Sequence, residues 1–514
     1  MSGPVGAGQL VLLSVVALPA AGAVVTAALP ARGDRAARVV ATAFAAATLV
    51  AAALLWLARP PRATGPGGSP PAGPDLRAWQ AVDLPWAPGL DLRLHLGVDG
   101  LSYPLVLLTA LLTLLCCAYT IWHVPPGGRG GTLAALLLAV EVGILGTFLA
   151  FDLVLFFVFF EVVLLPMYAV IAGWGGPDRR HAARKFALYT LFGSVLLLVG
   201  VFTVVASAGT ADLTALTGGG QLSRGAQLAA FTLFAVAFAV KSPLWPLHTW
   251  LPDAHTQAPT VGSVVLAGVL LKMGTYGLVR IGLGVTPEGA RWAAPVLGLL
   301  AVAAIVVGAL VCLAQTELKR LIAYSSVGHM GFVLLGIATL TGTGLHAALL
   351  GNVAHGVITG LLFFLAGAIK DRTHTGELAE LGGLREGAPA LAGLLGFAAV
   401  ASLGLPGLAG FWGEAFAVVA ALQAGGAWWS SLGVVAAAGA ALTAAYFLRL
   451  LRRVSHGPPG PAVAALRPAA PGRVELATWA PLVLLTLVLG LLPFLVVGSW
   501  LAPLDFLPWV AHRW

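Results

Sequence analysis

About fourteen apolar stretches, each long enough to cross a bilayer as a helix of about 20 residues, divide this chain. They run over 8–29, 37–58, 98–121, 131–150, 152–173, 185–207, 227–256, 259–282, 293–314, 318–340, 344–368, 389–424, 428–451 and 475–499. In hydrocarbon every backbone N–H and C=O must be satisfied inside the segment or barrel that carries it, so runs of this kind fold as helices. The composition agrees: 59% of residues are hydrophobic, 9% are charged and the mean hydropathy is +0.94, which excludes a water-soluble globular domain of this size. The expected fold class is an all-α polytopic membrane protein. Its first stretch has no basic n-region and no small-residue cleavage site, and reads as a retained helix.

Basic residues orient the spans, because cytoplasmic loops collect Lys and Arg. With the N-terminus outside, the inner loops hold Arg32, Arg35, Arg38, Arg129, Arg179, Arg180, Arg184, Lys185, Lys319, Arg320, Lys370, Arg372, Arg385, Arg449, Arg452, Arg453, Arg467 and Arg473. The outer loops hold fewer: Arg59, Arg62, Arg77, Arg93, Arg224, Arg280, Arg291 and Arg513. Both termini are therefore expected outside. This topology accounts for the net charge of +8 and gives no reason to invoke nucleic acid. Cys116, Cys117 and Cys312 lie in apolar spans without a CxxC or Cys/His spacing, so no metal or redox centre is expected in the chain. Gly218, Gly219 and Gly220 lack the strand, lysine and hydroxyl of a phosphate-binding loop. The Pro/Gly-rich stretch 60–74 reads as a flexible outer loop, and 457–472 as an inner one.

Of the 28 basic residues only five are lysines, and Lys241 and Lys272 sit inside apolar runs. Arginine stays protonated under physiological conditions, whereas a buried lysine can release its proton. Lysine at these two places therefore suggests proton transfer. Glu161 lies half way through its span, between Phe156-Phe157-Val158-Phe159-Phe160 and Val162-Val163-Leu164-Leu165. Such a carboxylate must be paired, solvated or protonated, with a structural polar group as the alternative. Lys241 could snorkel to a helix end, but Lys272 has apolar neighbours on both sides. His329 and His355 lie in later spans and suit a relay in either protonation state, or a structural role. His248 and His255 stand ready to line a water-filled inlet, and Glu141, twenty residues before Glu161, reads first as a packing or orienting group.

Two helices should be interrupted. Lys241 is followed by Pro243 and Pro246, and Gly404-Leu405-Pro406-Gly407 divides the span 389–424 just before Glu414. Broken helices at mid-membrane are typical ion sites. Pro246-Leu247-His248-Thr249-Trp250-Leu251-Pro252-Asp253-Ala254 can be laid on Gly407-Leu408-Ala409-Gly410-Phe411-Trp412-Gly413-Glu414-Ala415. Five spans separate the two breaks, which suggests two five-helix repeats of opposite topology. The expected organisation is 1–130 for the first three spans with the outer loop 59–97, 131–282 and 283–453 for the repeats, and 454–514 for an inner loop and the last span.

Three ordered motifs resemble the antiporter-like proton-channel subunits of respiratory complex I. They are Asp152-Leu153-Val154-Leu155-Phe156-Phe157-Val158-Phe159-Phe160-Glu161 with Pro166-Met167-Tyr168, the run from Lys241 to His255 continuing through Ala258-Pro259-Thr260 to Lys272, and the run Glu317 to Gly331. The resemblance covers roughly residues 90–455. Glu414 matches the branch that has Glu in the second broken helix, where other branches generally have Lys. The resemblance implies that Glu161 and Lys241 form a coupling pair, Lys272 a central relay, His329 and His355 the connection, and Glu414 an outlet-side or neighbour-facing carboxylate. It also implies a bacterial plasma membrane, lipid, and neighbouring L-like and N-like membrane subunits, with NADH, FMN, iron–sulfur clusters and quinone bound by partner subunits and no redox cofactor in this chain. A subunit of a multisubunit Na⁺/H⁺ antiporter or a membrane-bound hydrogenase complex is the alternative, and a purely structural membrane scaffold a third.

Overall fold

The structure, a computed structural model, describes residues 6–57, 78–87, 92–466 and 469–498. In chain order its principal helices are α1 (Ala7–Ala28), α2 (Ala31–Leu54), α3 (Tyr103–Trp122), α4 (Gly130–Leu149), α5 (Leu153–Trp174), α6 (Arg179–Ala208), α7 (Arg224–Lys241), α8 (Trp250–Gln257), α9 (Thr260–Leu283), α10 (Pro287–Ala314), α11 (Leu318–Ala338), α12 (Gly342–Thr373), α13 (Pro389–Ser402), α14 (Gly410–Ala424), α15 (Gly426–Val454) and α16 (Arg473–Leu491). Among the described residues thirteen are long and apolar enough to cross a membrane, and the shorter α13 and α14 make one further, interrupted crossing. The chain is a multi-pass membrane protein. α9, α11 and α12 are buried along nearly their whole length, whereas α1, α2, α6, α15 and α16 turn most of their surface outwards. The ionisable side chains of interest sit on or against the buried helices.

Both interruptions fall where proline and glycine require them. α7 ends at Lys241, and the carbonyl of Val240, lost to the helix ladder, accepts the Trp250 indole N–H at 3.0 Å. Between α13 and α14, Gly404 and Gly407 take φ of +80° and +92°, a region open to glycine, and Ala409 N–H is taken up by the Thr486 carbonyl at 3.1 Å. α9 is continuous but contains two π-helical turns, Leu266–Leu270 and Leu278–Leu283. Such turns disturb the regular ladder and often mark functional positions.

The fold is the expected helical one, with a single hairpin among the described residues, in the segment read as the outer loop 59–97. Gln80–Ala87 (β1) and Leu92–Val98 (β2) form an antiparallel hairpin with Gln80 opposite Val98 and an irregularity between Pro85 and Ala87. The alternation of Leu92, Leu94, Leu96 and Val98 is a period-two signal for a strand with one buried face. The hairpin is tied down by the Gln9 side-chain amide on the Ala81 carbonyl (2.9 Å), Phe151 N–H on the His95 carbonyl (2.9 Å) and His95 against Asp212 (3.3 Å). The Pro-rich stretch 60–74 lies outside the described residues. The inner loop 457–472 carries a short helix, Pro461–Leu466, with Val463 buried.

One contact recurs. Asp152 opposes Asp212 and Glu317 opposes Glu377 in isolated antiparallel bridges, each joining the start of one helix (α5, α11) to the segment after the next (α6, α12). In the first, Leu153 N–H donates to Ala211 and Leu213 N–H to Phe151; in the second, Leu318 donates to Gly376 and Leu378 to Thr316, all at 2.7–2.9 Å. The helix order puts the first bridge on the face that carries the hairpin and the second on the opposite, arginine-rich face.

Candidate functional site: a buried line of ionisable side chains

Lys272 is the centre of the arrangement. It lies on α9 just after the first π-turn and is wholly buried. Its ammonium donates to the Ala267 carbonyl within that turn at 2.5 Å and stands 2.6 Å from Nδ1 of His355 on α12. The His355 ring lies 5.8 Å, centroid to centroid, from the ring of His329 on α11. His329 Nε2 donates to the Ser402 carbonyl at 2.9 Å and is 3.4 Å from Oε1 of Glu414 on α14. Ser402 is the last residue of α13, so the second break presents both a free carbonyl and the carboxyl group to one histidine. A cavity of about 30 Å³, lined by His329, His355, Thr359, Ser402 and Glu414, joins these groups. That is enough space to hold a water. Lys272, His355, His329 and Glu414 thus form one line, with no hydrogen bond between the two imidazoles: His355 Nε2 and His329 Nδ1 are unpartnered among the described residues.

The first break is arranged differently. Lys241 is 2% exposed, and its ammonium sits 4.4 Å from the centre of the Phe160 ring. Glu161 on α5 is half-buried and accepts the Ser194 hydroxyl from α6. Among the described residues no ion pair within 4.0 Å joins Glu161 to Lys241. His248 packs edge-on against Tyr324, with ring centroids 6.1 Å apart. His255, at the end of α8, is wholly buried and stacked on Phe363 at 4.5 Å, and neither ring nitrogen has a hydrogen-bond partner. Glu141 on α4 is likewise wholly buried, with no partner at either oxygen. It makes no hydrogen bond to the line.

Two basic residues assigned to loops by sequence belong to the interior. Lys319, counted among inner-loop charges, is 5% exposed and donates to the Ala258 carbonyl at 3.1 Å. Arg280, counted among outer-loop charges, is 2% exposed on α9 and pairs with Asp99. Both lie in the first or last turns of their spans, where residue counting from sequence places a charge in water and the fold places it under neighbouring helices. Asp253, the first-break counterpart of Glu414 in the sequence comparison, is instead paired with Lys185 at 2.6 Å and Arg320 at 3.7 Å. On the arginine-rich face a cavity of about 990 Å³ opens between the ends of α3, α5, α8 and α12 and reaches Lys319, with His123, Gln257 and Lys370 on its walls. Sequence reasoning also passed over Ser194 and Asn352, which are uncharged and so carry no signal of their own.

Residues 150–439, which hold every member of the line, match the model of a family described as NADH:quinone oxidoreductase/Mrp antiporter, transmembrane. The chain belongs to this family. NADH-quinone oxidoreductase subunit M of Rhodobacter capsulatus is 43% identical over 442 residues, 84% of each chain. NAD(P)H-quinone oxidoreductase chain 4 1 of Synechococcus sp. is 42% identical over 427 residues, 81% of this chain and 79% of that one. Among solved structures, a chain of respiratory complex I from Thermus thermophilus superposes with a TM-score of 0.82 at 31% identity, covering 97% of this chain and 99% of that one. A chain of the Mrp complex from Dietzia sp. gives 0.81 at 26% identity, covering 97% of this chain and 52% of its own. Family membership thus joins the two readings of the sequence, the complex I subunit and the antiporter subunit.

Proposed function

We propose that this chain is a proton-translocating membrane subunit of an NADH-quinone oxidoreductase, of the subunit M or chain 4 type. The observation that carries the reading is the line Lys272–His355–His329–Glu414, with hydrogen-bond contact at one end, ring proximity in the middle and a carboxyl group 3.4 Å from imidazole at the other. Lys272 can give a proton to His355 Nδ1, while the proton on Nε2 leaves toward His329 and Glu414 across the cavity that they share. The large cavity beside Lys319 suits water entering from the arginine-rich face, which the excess of basic loop residues assigns to the cytoplasm. His255 then lies between Lys319 and Lys272 as an inlet group. The recurrence of the Asp152–Asp212 and Glu317–Glu377 bridges on opposite faces supports two inverted repeats.

The remaining roles follow. Glu161, while ionised, favours the charged form of Lys241; moving or neutralising it releases the proton on Lys241 inward along the chain toward Lys272. Redox energy comes from partner subunits, which hold NADH, FMN, iron–sulfur clusters and quinone, and the neighbours in the membrane are further antiporter-like subunits and lipid. The membrane is a bacterial plasma membrane, with both termini outside. The antiporter reading is kept by the likeness to the Mrp complex chain. The two separate on purification of the tagged chain in mild detergent: co-purifying NADH:quinone reductase activity supports the proposal, and a redox-silent assembly of membrane subunits replaces it with the antiporter. Lys241→Ala and Lys241→Arg, the latter charged but not titratable, are both expected to impair pumping by an assembled enzyme. Wild-type pumping by either would remove Lys241 from the relay.

A further inference from the structure

The line to Glu414 leaves a second polar column unused. On α9, Thr275, Tyr276 and Arg280 follow Lys272 at helical spacings of three, four and eight, the stripe that a helix turns to one side. They climb toward the hairpin face, over about 12 Å at 1.5 Å per residue. The Thr275 hydroxyl donates to Asn352 Oδ1 at 3.0 Å, and Asn352 stands one turn before His355 on α12. Arg280 donates to the Tyr276 hydroxyl at 3.1 Å and to the Asp99 carboxylate, and the Tyr276 hydroxyl donates in turn to the Phe148 carbonyl at 2.9 Å. The other Asp99 oxygen caps the turn into α3, accepting N–H from Leu101 (3.1 Å) and Ser102 (2.9 Å). All five side chains are buried. Thr275, Tyr276 and Asn352 share with six apolar side chains, Leu101, Leu105 and Val279 among them, the lining of a cavity of about 10 Å³. That is the lower limit of space for a single water.

A structural pin alone does not explain this composition. Holding the turn at Asp99 requires the Arg280–Asp99 pair. It does not require a hydroxyl, an amide and a water-sized space between that pair and Lys272, where apolar side chains would pack without the desolvation cost of polar groups. The order of the groups is that of a conduit with a plug. A fixed positive charge at the end of a narrow polar path repels an excess proton, as an arginine does in a water-selective pore.

We infer that Thr275 and Asn352 line an outward branch along which Lys272 releases protons to the hairpin face, and that Arg280, held by Asp99 and Tyr276, is its gate. The inference rests on Lys272 being a proton carrier. In each step one O–H or N–H bond breaks and one forms: the proton leaves Lys272 Nζ, Thr275 and a water in the cavity each accept one proton and pass one on, and solvent water at the hairpin face takes the last one. Only the proton's charge moves. Displacement of Arg280 from the column opens the path.

The test uses the whole enzyme complex containing this chain, reconstituted in phospholipid vesicles, with passive proton flux measured under an imposed pH gradient without NADH. Arg280→Gln should raise the leak at least about threefold by removing the plug charge. Adding Thr275→Val or Lys272→Ala should return it to the wild-type level. An assembled Arg280→Gln complex that leaks no more than wild type, or a leak indifferent to Thr275→Val, overturns the branch. Should Arg280→Gln fail to assemble, Thr275→Val and the cavity-filling Asn352→Leu decide the matter: protons pumped per NADH should fall in both, and wild-type ratios in both overturn the inference. The relay is judged separately, by NADH-driven pumping in Lys272→Ala alone. Wild-type pumping there sinks the relay reading, whatever the leak assay shows.

Discussion

Glu414 keeps its place beside His329 because Gly404 has no side chain. A Cβ built at Gly404 would come 2.9 Å from Glu414 Oε2, and the residue's φ of +80° costs an ordinary L-residue about 1–2 kcal/mol. Gly404→Ala is therefore expected to push the carboxyl group away from His329 and to lower NADH-driven pumping by about twofold or more, a loss of about 0.4 kcal/mol or greater in barrier terms. Gly393→Ala, at a position where nothing lies within 4 Å of the added carbon, should pump as wild type. Equal pumping by the two variants would contradict this packing account. The sequence singles out Glu161, Lys241, Lys272, His329, His355 and Glu414 because an ionisable residue inside an apolar run has no cheap explanation, and the structure brings the last four of them together. Arg280 and Lys319 were not legible in this way, since charges near the ends of spans look the same in sequence whether water or a neighbouring helix covers them. Ser194, Asn352 and Thr275 carry no charge, and only their partners in space distinguish them from ordinary helix residues.

Among elements, the two breaks were legible from proline and glycine, and the hairpin was not, because its short alternating strand β2 runs directly into the apolar stretch that becomes α3. What the sequence does not reveal is how elements are clasped at their ends. His123, just past the end of α3, pairs with Asp371 in the last turn of α12 at 3.1 Å. The hydrogen bond to the Asp371 carboxylate raises His123 above its ordinary value of about 6.5, with burial opposing it. A raised histidine contributes stability that is fully present below its unfolded value and is lost as pH rises through the folded one. Both side chains are more than a third exposed, so solvent screening keeps the effect modest. The thermal midpoint lost by the purified complex on His123→Gln should accordingly be larger at pH 6 than at pH 9. An equal loss at both would mean that the clasp is not an ion pair.

For the whole molecule, the account requires that the arginine-rich face meet the cytoplasm and the hairpin face the outside. The native cysteines are buried, so single introduced cysteines report sidedness cleanly. Gly220→Cys, exposed on the hairpin face, should react with an impermeant maleimide in intact cells, and Asp178→Cys, exposed on the other, only after lysis. The reverse pattern would invert the direction of the relay. At this scale the number of crossings and the membrane environment could be read from apolar run lengths alone, whereas the meeting of α9, α11, α12 and α14 around one line of side chains depends on packing between segments distant in sequence. That meeting is the central claim, and Lys272→Met tests it most directly, since methionine keeps the unbranched stem and removes the titratable amine. At equal content of assembled complex in vesicles, protons moved per NADH should fall several-fold below wild type; an unchanged ratio would show that protons do not pass through this line.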